Sequence, residues 1–334
     1  MRYIKRMLLR SNLGKSLRLG TYPWKNRAML LELLRVPVAK SGLETINGVE
    51  TPFVVLSDGV VLYGILPSEF EKEICWRWKN MINPNIREET FRVAMDVVLR
   101  YQYPHAMPHI TMPYPRQARK CFHPQHAETI ADIPRLSENE RKHLVTIFEL
   151  NKGEKFLDVG AYMGFGAVRM ARELGPNSKI IAVEADPKSL ALLDLNIRSN
   201  NLQNVSIVQK AVSSVNGGTA PFYITERQAN SLVSGVVDSG SAIQVPTVTI
   251  DGVLDDFGMD SIDRVSLTIN GAEAEALKGM QSTLAVSKNL RLSIAGWYKY
   301  NGKRVCDIIS PFLERYGYRV LVGRGGGVLA WKVN

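Results

Sequence analysis

The stretch Phe156-Leu-Asp-Val-Gly-Ala-Tyr-Met-Gly-Phe165 restricts the possible folds more than any other part of the chain. An apolar run from Lys155 to Val159 breaks at Gly160, and a second glycine, Gly164, stands just ahead of a helical pattern. Farther on, Ile180-Ile-Ala-Val-Glu184 repeats the motif as an apolar run with a carboxylate at its carboxyl end. Continuous apolar runs of this length suit strands buried on both faces, and glycines let the backbone approach a ligand closely. A strand–turn–helix–strand unit built this way binds a nucleoside, and Glu184 is placed to accept hydrogen bonds from two ribose hydroxyls.

The same alternation continues to the carboxyl terminus. Strands are expected near 155–160, 179–184, 205–210, 263–269, 290–296 and 317–322, and helices near 165–174, 187–200, 272–282 and 304–315. Asp186-Pro187 is a helix start, an N-cap residue followed by proline at the first helical position. Alternating strands and helices with right-handed crossovers give a parallel sheet whose ligands sit beyond the strands' carboxyl ends. The ending, with Gly323-Arg-Gly-Gly-Gly327 between two apolar runs, reads as a hairpin. The expected fold class is therefore α/β, a Rossmann-like, mostly parallel seven-stranded sheet with an antiparallel C-terminal hairpin. Ser137-Glu-Asn-Glu140 is a capping box that opens this domain with a helix running to about Leu150.

The first part of the chain, residues 1–134, reads as a separate and mostly helical module, with the sheet domain spanning 135–334. Ala28 to Arg35, Pro67 to Trp78 and Glu88 to Tyr101 have helical periods, and Pro37 ends the first of these. Ser57-Asp-Gly59 between apolar runs signals a hairpin joining Val54–Leu56 to Val60–Tyr63. Residues 102–134 hold His105, His109, His123 and His126 among many prolines and read as a lid over the cleft. Cys121, His123 and His126 have spacings a metal could use, with His105 or His109 as a fourth ligand. The prolines prevent a helical ligand face, however, and no paired Cys-x-x-Cys accompanies them, so no metal is expected.

Charge narrows the choice of partners. The net charge is +10, and the first 31 residues hold eight Lys/Arg and no acid. This amino-terminal stretch lacks the apolar core of a secretory signal, and no run approaches the roughly 18–20 apolar residues that span a bilayer. A cytoplasmic protein is expected, with residues 1–31 suited to peripheral contact with anionic lipid on the inner face of the membrane. The three cysteines are widely separated and form no disulfide framework. The basic residues are spread out, and nucleic acid is not an expected partner.

Three features favour S-adenosylmethionine over a dinucleotide. The turn is Asp158-x-Gly160-x-x-x-Gly164 and lacks the Gly-x-Gly-x-x-Gly spacing. Asp158 would repel a pyrophosphate but suits an ammonium and a sulfonium. The nucleoside unit also lies in a carboxyl-terminal domain that ends in the hairpin.

Residues 155–334 resemble the FkbM-type family of S-adenosylmethionine-dependent methyltransferases. The resemblance rests on Phe156–Gly164, Ala182-Val-Glu-Ala-Asp-Pro187, Leu195–Val205, Gln209-Lys-Ala-Val-Ser213 and Asn270-Gly-Ala-Glu-Ala-Glu-Ala-Leu-Lys-Gly279. It implies O-methylation of a hydroxyl on a small-molecule, glycan or lipid-linked glycan acceptor, including secondary metabolites. It also implies that Asp158, Gly160, Tyr162 and Gly164 cradle the methionine part of the cofactor. Glu184 would hold the ribose, Asp186 would lie beside ribose and adenine, and Ala211 would bound the adenine. Ser266 to Glu273 would close the cleft at the transferable methyl, making Thr268, Asn270 and Glu273 the candidate catalytic residues.

Two departures from the family pattern stand out. Tyr162 occupies a position where the family usually has asparagine. Ser266, Thr268 and Asn270 replace the lysine, aspartate and first glutamate of the usual Lys-Ile-Asp-Val-Glu-Gly-Ala-Glu. Three readings follow: another base acts (Glu273, His105, His109, His123 or Tyr298), proximity alone suffices, or the chain binds the cofactor without turnover as a scaffold module.

Overall fold

In the computed structural model, the described residues are 38–56, 59–64, 138–224, 230–234, 241–300, 302–323 and 326–332. The expected helices of residues 28–35, 67–78 and 88–101, the basic stretch 1–31 and the histidine-rich loop 102–134 lie outside them. The chain divides into two compact units, Met1–Arg119 and Lys120–Asn334. In the first, β1 (Val38–Ile46), β2 (Val49–Leu56) and β3 (Val61–Tyr63) form an antiparallel sheet in that order. The expected hairpin is its β2–β3 pair, with Val55 opposite Val61. Strand β1 was hidden because residues 40–46 are largely exposed and mix polar with apolar side chains, so period-2 alternation is faint there.

The second unit holds α1 (Glu138–Ile147), β4 (Lys155–Val159), α2 (Phe165–Leu174), β5 (Lys179–Val183), α3 (Pro187–Ser199), β6 (Val205–Val208), β7 (Ala211–Val212), β8 (Thr219–Ile224) and β9 (Ser241–Val248). There follow α4 (Ile250–Asp256), β10 (Arg264–Leu267), α5 (Glu273–Lys278), α6 (Gln281–Val286), β11 (Arg291–Ala295), β12 (Lys299–Tyr300), β13 (Lys303–Arg304), α7 (Val305–Arg315), β14 (Tyr318–Val322) and β15 (Gly327–Lys332). The central sheet has seven strands in the order β14-β15-β11-β10-β4-β5-β6. Strands β6, β5, β4, β10 and β11 run parallel, and β15 is antiparallel to both β11 and β14. The expected terminal hairpin is present, but its last strand inserts between β14 and β11 and does not lie at the edge.

Strand order reverses direction at β4, which is where an open α/β sheet leaves a crevice at its carboxyl edge. Leu157, Val159, Val265, Leu267, Leu292 and Ile294 alternate onto one face and join a core with Val253, Leu277, Leu284, Ile309 and Leu313 of the later helices. Alternate residues of the same strands, Phe156, Asp158, Arg264, Ser266 and Ser293, point to the other face and are also buried.

Two elements differ from the sequence reading. The helix expected over 272–282 is broken into α5 and α6 at Gly279, where a Cβ would lie 2.3 Å from the Ser213 carbonyl oxygen. The expected extension of α1 to Leu150 stops at Ile147, because arginines from the sheet cap its end. Arg264 donates to the Phe148 oxygen at 2.9 Å and to the Glu149 oxygen, and Arg291 reaches the Ile147 oxygen at 3.4 Å. Both guanidinium groups also bind Glu154, Arg264 through Nε at 2.5 Å and Arg291 through Nη2 at 2.7 Å. The network ties the end of α1 to the amino ends of β4, β10 and β11, where cations suit a helix C-terminus.

Burial alone would raise the Glu154 pKa, but the charges and hydrogen bonds of Arg264 and Arg291 outweigh it and hold it below the usual carboxylate range. A lowered acid pKa contributes stability above the unfolded value, and that stability is lost as pH falls through the folded value. Glu154→Ala leaves Arg264, 1% exposed, without its partner and is expected to cost about 3–5 kcal/mol, measured by denaturant unfolding at pH 7. The deficit should shrink below about pH 4, where the wild-type carboxylate is itself protonated.

Candidate active site

A cavity of about 330 Å³ opens at the carboxyl edge of β10, β4, β5 and β6. This is within the usual range of small-molecule sites. Its wall is contributed in order across the sheet: Thr268 to Ala272 after β10, Gly160 and Tyr162 after β4, Glu184 and Ala185 after β5, and Lys210 to Val212 after β6. Ser189, Phe222, Asn230 and Leu232 complete it.

The β4 turn is built by backbone constraint. Gly160, Tyr162 and Gly164 have φ values of 79°, 53° and 81°. A Cβ on Gly160 would stand 2.0 Å from the Thr268 oxygen, and one on Gly164 would stand 2.3 Å from Leu193 Cδ1. Glycine is required at both. Tyr162 adopts the left-handed conformation without being glycine, asparagine or aspartate, which costs on the order of 1–3 kcal/mol. Asparagine, the residue usual in the resembling family, tolerates this conformation, so the tyrosine is kept at a conformational cost. The buried Asn196 side chain donates to the Met163 oxygen at 2.8 Å and fastens the turn to α3.

Glu184 supports this turn from below. Its Oε2 accepts from the Tyr162 N–H at 2.7 Å, and its Oε1 accepts from the Ala185 and Asp186 N–H groups at 2.9 and 2.8 Å. A carboxylate offers about four acceptor sites, so one remains on Oε2. Burial raises the Glu184 pKa, and the three amides only partly offset this.

Asp186 does not face the cavity. Its carboxylate accepts from Lys188 N, Ser189 N, Ser189 Oγ and Asn230 Nδ2 and so acts as the N-cap of α3. Asp158 and Gly164 also lie behind the cavity wall. The Asp158 carboxyl is 4% exposed and stands opposite Ser266 on β10. Burial, opposed by a hydrogen bond from the Ser266 hydroxyl and aided by the Glu184 charge, raises its pKa to about 7.

Of the three candidate catalytic residues, Thr268 and Asn270 line the cavity and Glu273 does not. Glu273 is fully buried and accepts from Ile269 N at 3.0 Å and Gly271 N at 2.8 Å. It clamps the loop preceding its own helix, and burial pushes its pKa up to about 7. Asn270 holds φ 54°, a conformation that asparagine accepts more readily than other non-glycine residues. Its Nδ2 donates to the Asn230 oxygen at 2.8 Å, and its own carbonyl accepts from Ser231 Oγ at 2.9 Å. Tyr298, the other base proposed from the described part of the chain, has its pKa raised by burial, so it is a proton donor at neutral pH.

Sequence reasoning missed the wall made by Phe222, Asn230 and Leu232. These come from a small sheet, β7-β9-β8, in which β8 pairs antiparallel with β9 and Tyr223 bridges to Ser231. A signal was available, since Phe222 and Val245 sit in alternating runs, but the strands pair only with each other and with β7. Among the described residues no group of three potential ligands could hold a metal, and no helix is long and apolar enough to cross a membrane.

The elevated Asp158 pKa has a direct consequence for stability. Between about pH 4 and pH 7 the folded carboxyl keeps a proton that the unfolded chain has lost. Stability is therefore expected to fall as pH rises through that window and to level off above it. Asp158→Asn should raise the thermal midpoint at pH 8 and flatten the dependence, as read by melting curves from pH 4 to 9. An unchanged slope would contradict this assignment.

The geometry matches known proteins in sequence. Residues 158–320 match the methyltransferase FkbM domain, and residues 77–222 match the protein-L-isoaspartate(D-aspartate) O-methyltransferase family. A Sulfolobus acidocaldarius protein named "Probable cobalt-precorrin-6B C(15)-methyltransferase (decarboxylating)" is 26% identical over 159 residues, covering 45% of this chain and 82% of that protein. A Thermoplasma volcanium protein of the same name is 35% identical over 82 residues, 24% of this chain and 41% of its own length. The crystal structure of precorrin-6y C5,15-methyltransferase from Geobacter metallireducens is similar at 17% identity and a TM-score of 0.37, covering 62% of this chain and 87% of that chain. The matched methyltransferase FkbM domain covers residues 158–320, just under half of the chain, and together with the seven-stranded sheet of this order it marks an S-adenosylmethionine-dependent methyltransferase.

Proposed function

We propose that this methyltransferase acts on a hydroxyl oxygen of a glycan or secondary metabolite, aligned at the β10 side of the cavity with no carboxylate acting as base there. The observation that carries this reading is the position of Glu273, sealed behind the loop and saturated by backbone amides, while the neutral Thr268 and Asn270 face the cavity. S-adenosylmethionine supplies a methyl group already activated by a sulfonium. Alignment is then the chain's main task, and well-oriented reactions reach effective molarities of about 10⁵–10⁸ M.

The residues present fit the cofactor. Ala185, Ala211, Phe222 and Leu232 provide apolar walls for adenine. Glu184 keeps one acceptor site for a ribose hydroxyl, and the close approach of Gly160 to Thr268 leaves backbone as the surface on which the methionine part rests. Asp158 would act through the turn, as a buried group behind it. Residues 1–134, with the histidine-rich segment 102–134, would form an amino-terminal module and lid, and the basic residues 1–31 would suit a lipid-linked acceptor at a membrane surface.

A second reading has carbon as the acceptor atom, because the curated relatives are named as C(15)-methyltransferases. Incubating the protein and labelled cofactor with metabolite extracts, followed by NMR of the methylated product, separates an O-methyl from a C-methyl group. S-adenosylmethionine at saturation is expected to raise the melting temperature. Glu184→Ala and Gly160→Ala should each abolish that rise, since one removes the support of the turn and the other forces a Cβ into the Thr268 carbonyl. Retention of the full shift in both variants would refute the placement of the cofactor.

A further inference from the structure

The loop leaving β11 has features that neither the core nor the cofactor cavity uses. Gly296 is packed so closely that a Cβ would lie 2.5 Å from the Gly326 oxygen and 2.8 Å from Cys306 Cβ. Cys306 N donates to the Gly296 oxygen at 2.9 Å, and Val305 N donates to the Tyr298 oxygen at 2.8 Å. The base of the loop is therefore locked to the start of α7. From it rises a short antiparallel ribbon, β12–β13, with Lys299 opposite Arg304 and Tyr300 opposite Lys303.

Two aromatic rings on this rigid base face solvent, Trp297 at 39% and Tyr300 at 39% exposure. The Trp297 ring lies 6.2 Å from the Tyr298 ring, tilted by 38°. Lys299, Lys303 and Arg304 are exposed around them. Like charges directly across a strand pair are destabilising. Arg304 is relieved by Asp307 at 3.4 Å, whereas no ion pair joins Lys299 or Lys303 to a carboxylate among the described residues. Exposed rings beside uncompensated cations are the arrangement that holds a ring by stacking and its phosphate by charge.

The ribbon starts at the same edge of the sheet as the loop that lines the cavity after β10. It leaves the sheet at the carboxyl edge of β11, next to β10. The Tyr298 hydroxyl feels the charge of Glu273, whose carboxylate holds the Ile269 and Gly271 amides of the cavity's loop.

We propose that the Trp297–Arg304 ribbon is the docking rim for the methyl acceptor, taking a sugar or nucleobase ring that carries phosphate. This rests on the methyl-transfer reading of the neighbouring cavity. Trp297 and Tyr300 stack on the ring, and Lys299 and Lys303 meet the phosphate.

The test is calorimetric titration of the full chain, saturated with S-adenosylhomocysteine, with uridine 5′-diphosphoglucose, glucose or a short single-stranded RNA. Uridine 5′-diphosphoglucose is expected to bind saturably and glucose not to bind at the same concentrations. Trp297→Ala and the double variant Lys299→Glu/Lys303→Glu should each weaken binding about tenfold or more, with Trp297→Phe retaining most of it. Absence of binding, unchanged affinity in the double variant, equal binding of glucose, or tighter binding of the RNA would overturn the proposal. Each variant is checked for its thermal shift with S-adenosylmethionine. Loss of that shift in the unaltered protein would instead refute the cofactor reading, so the two failures are distinguishable.

Discussion

The carboxylate of Glu184 is the constraint on which the site depends. It sits at the end of β5, accepts the Tyr162 amide from the neighbouring turn, and accepts the Ala185 and Asp186 amides from its own. Without these bonds, the buried Ala185 and Asp186 N–H groups would be left unpaired, each costing about 1–3 kcal/mol. They also hold Tyr162 in a backbone conformation that its bulk disfavours. A residue that lines the cavity is thus also the one that shapes the turn.

The same economy of polar groups recurs around the cavity. Asp186 caps α3 and receives Asn230, and Asn270 accepts from the Ser231 hydroxyl and donates to the Asn230 oxygen. Glu273 binds the amides of the loop it follows. Glu273, which looks catalytic in the linear motif, is here committed to backbone donors, and burial has raised its pKa and that of Asp158 to about 7. Ser266 bears on this balance. It stands beside Asp158 as a hydroxyl where the resembling family has a lysine, so the buried carboxyl has a hydrogen bond but no cation in that position.

At the opposite end of the strands the charges are arranged differently. Arg264 and Arg291 share Glu154 and cap the end of α1. Each charge there is paired or hydrogen-bonded, as a buried ion network must be to offset its desolvation. At the carboxyl edge, Thr268, Asn270 and backbone line the β10 side of the cavity, and Lys299 and Lys303, which make no ion pair among the described residues, lie on the exposed ribbon.

The alternation of apolar strands with helices, the two glycines of the β4 turn, the Asp186-Pro187 helix start and the reversed last strand were all legible from residue order. Each is a local preference of backbone or periodicity, and the local preferences agree with one another. The insertion of β15 between β11 and β14, the β7-β9-β8 wall and the break at Gly279 were not legible, because each is set by a partner far away in sequence. The same holds for the roles of the acids. A sequence places Glu184, Asp186 and Glu273 near the right strands, but whether a carboxylate faces a cavity or a backbone amide depends on which N–H groups the folded loops bring within about 3 Å. By itself the sequence determined the fold class and the cofactor, since both follow from short-range pattern. Only the tertiary structure decided which carboxylates are committed to structure and which surface is left to meet an acceptor, since burial and hydrogen-bond saturation are properties of the assembled loops.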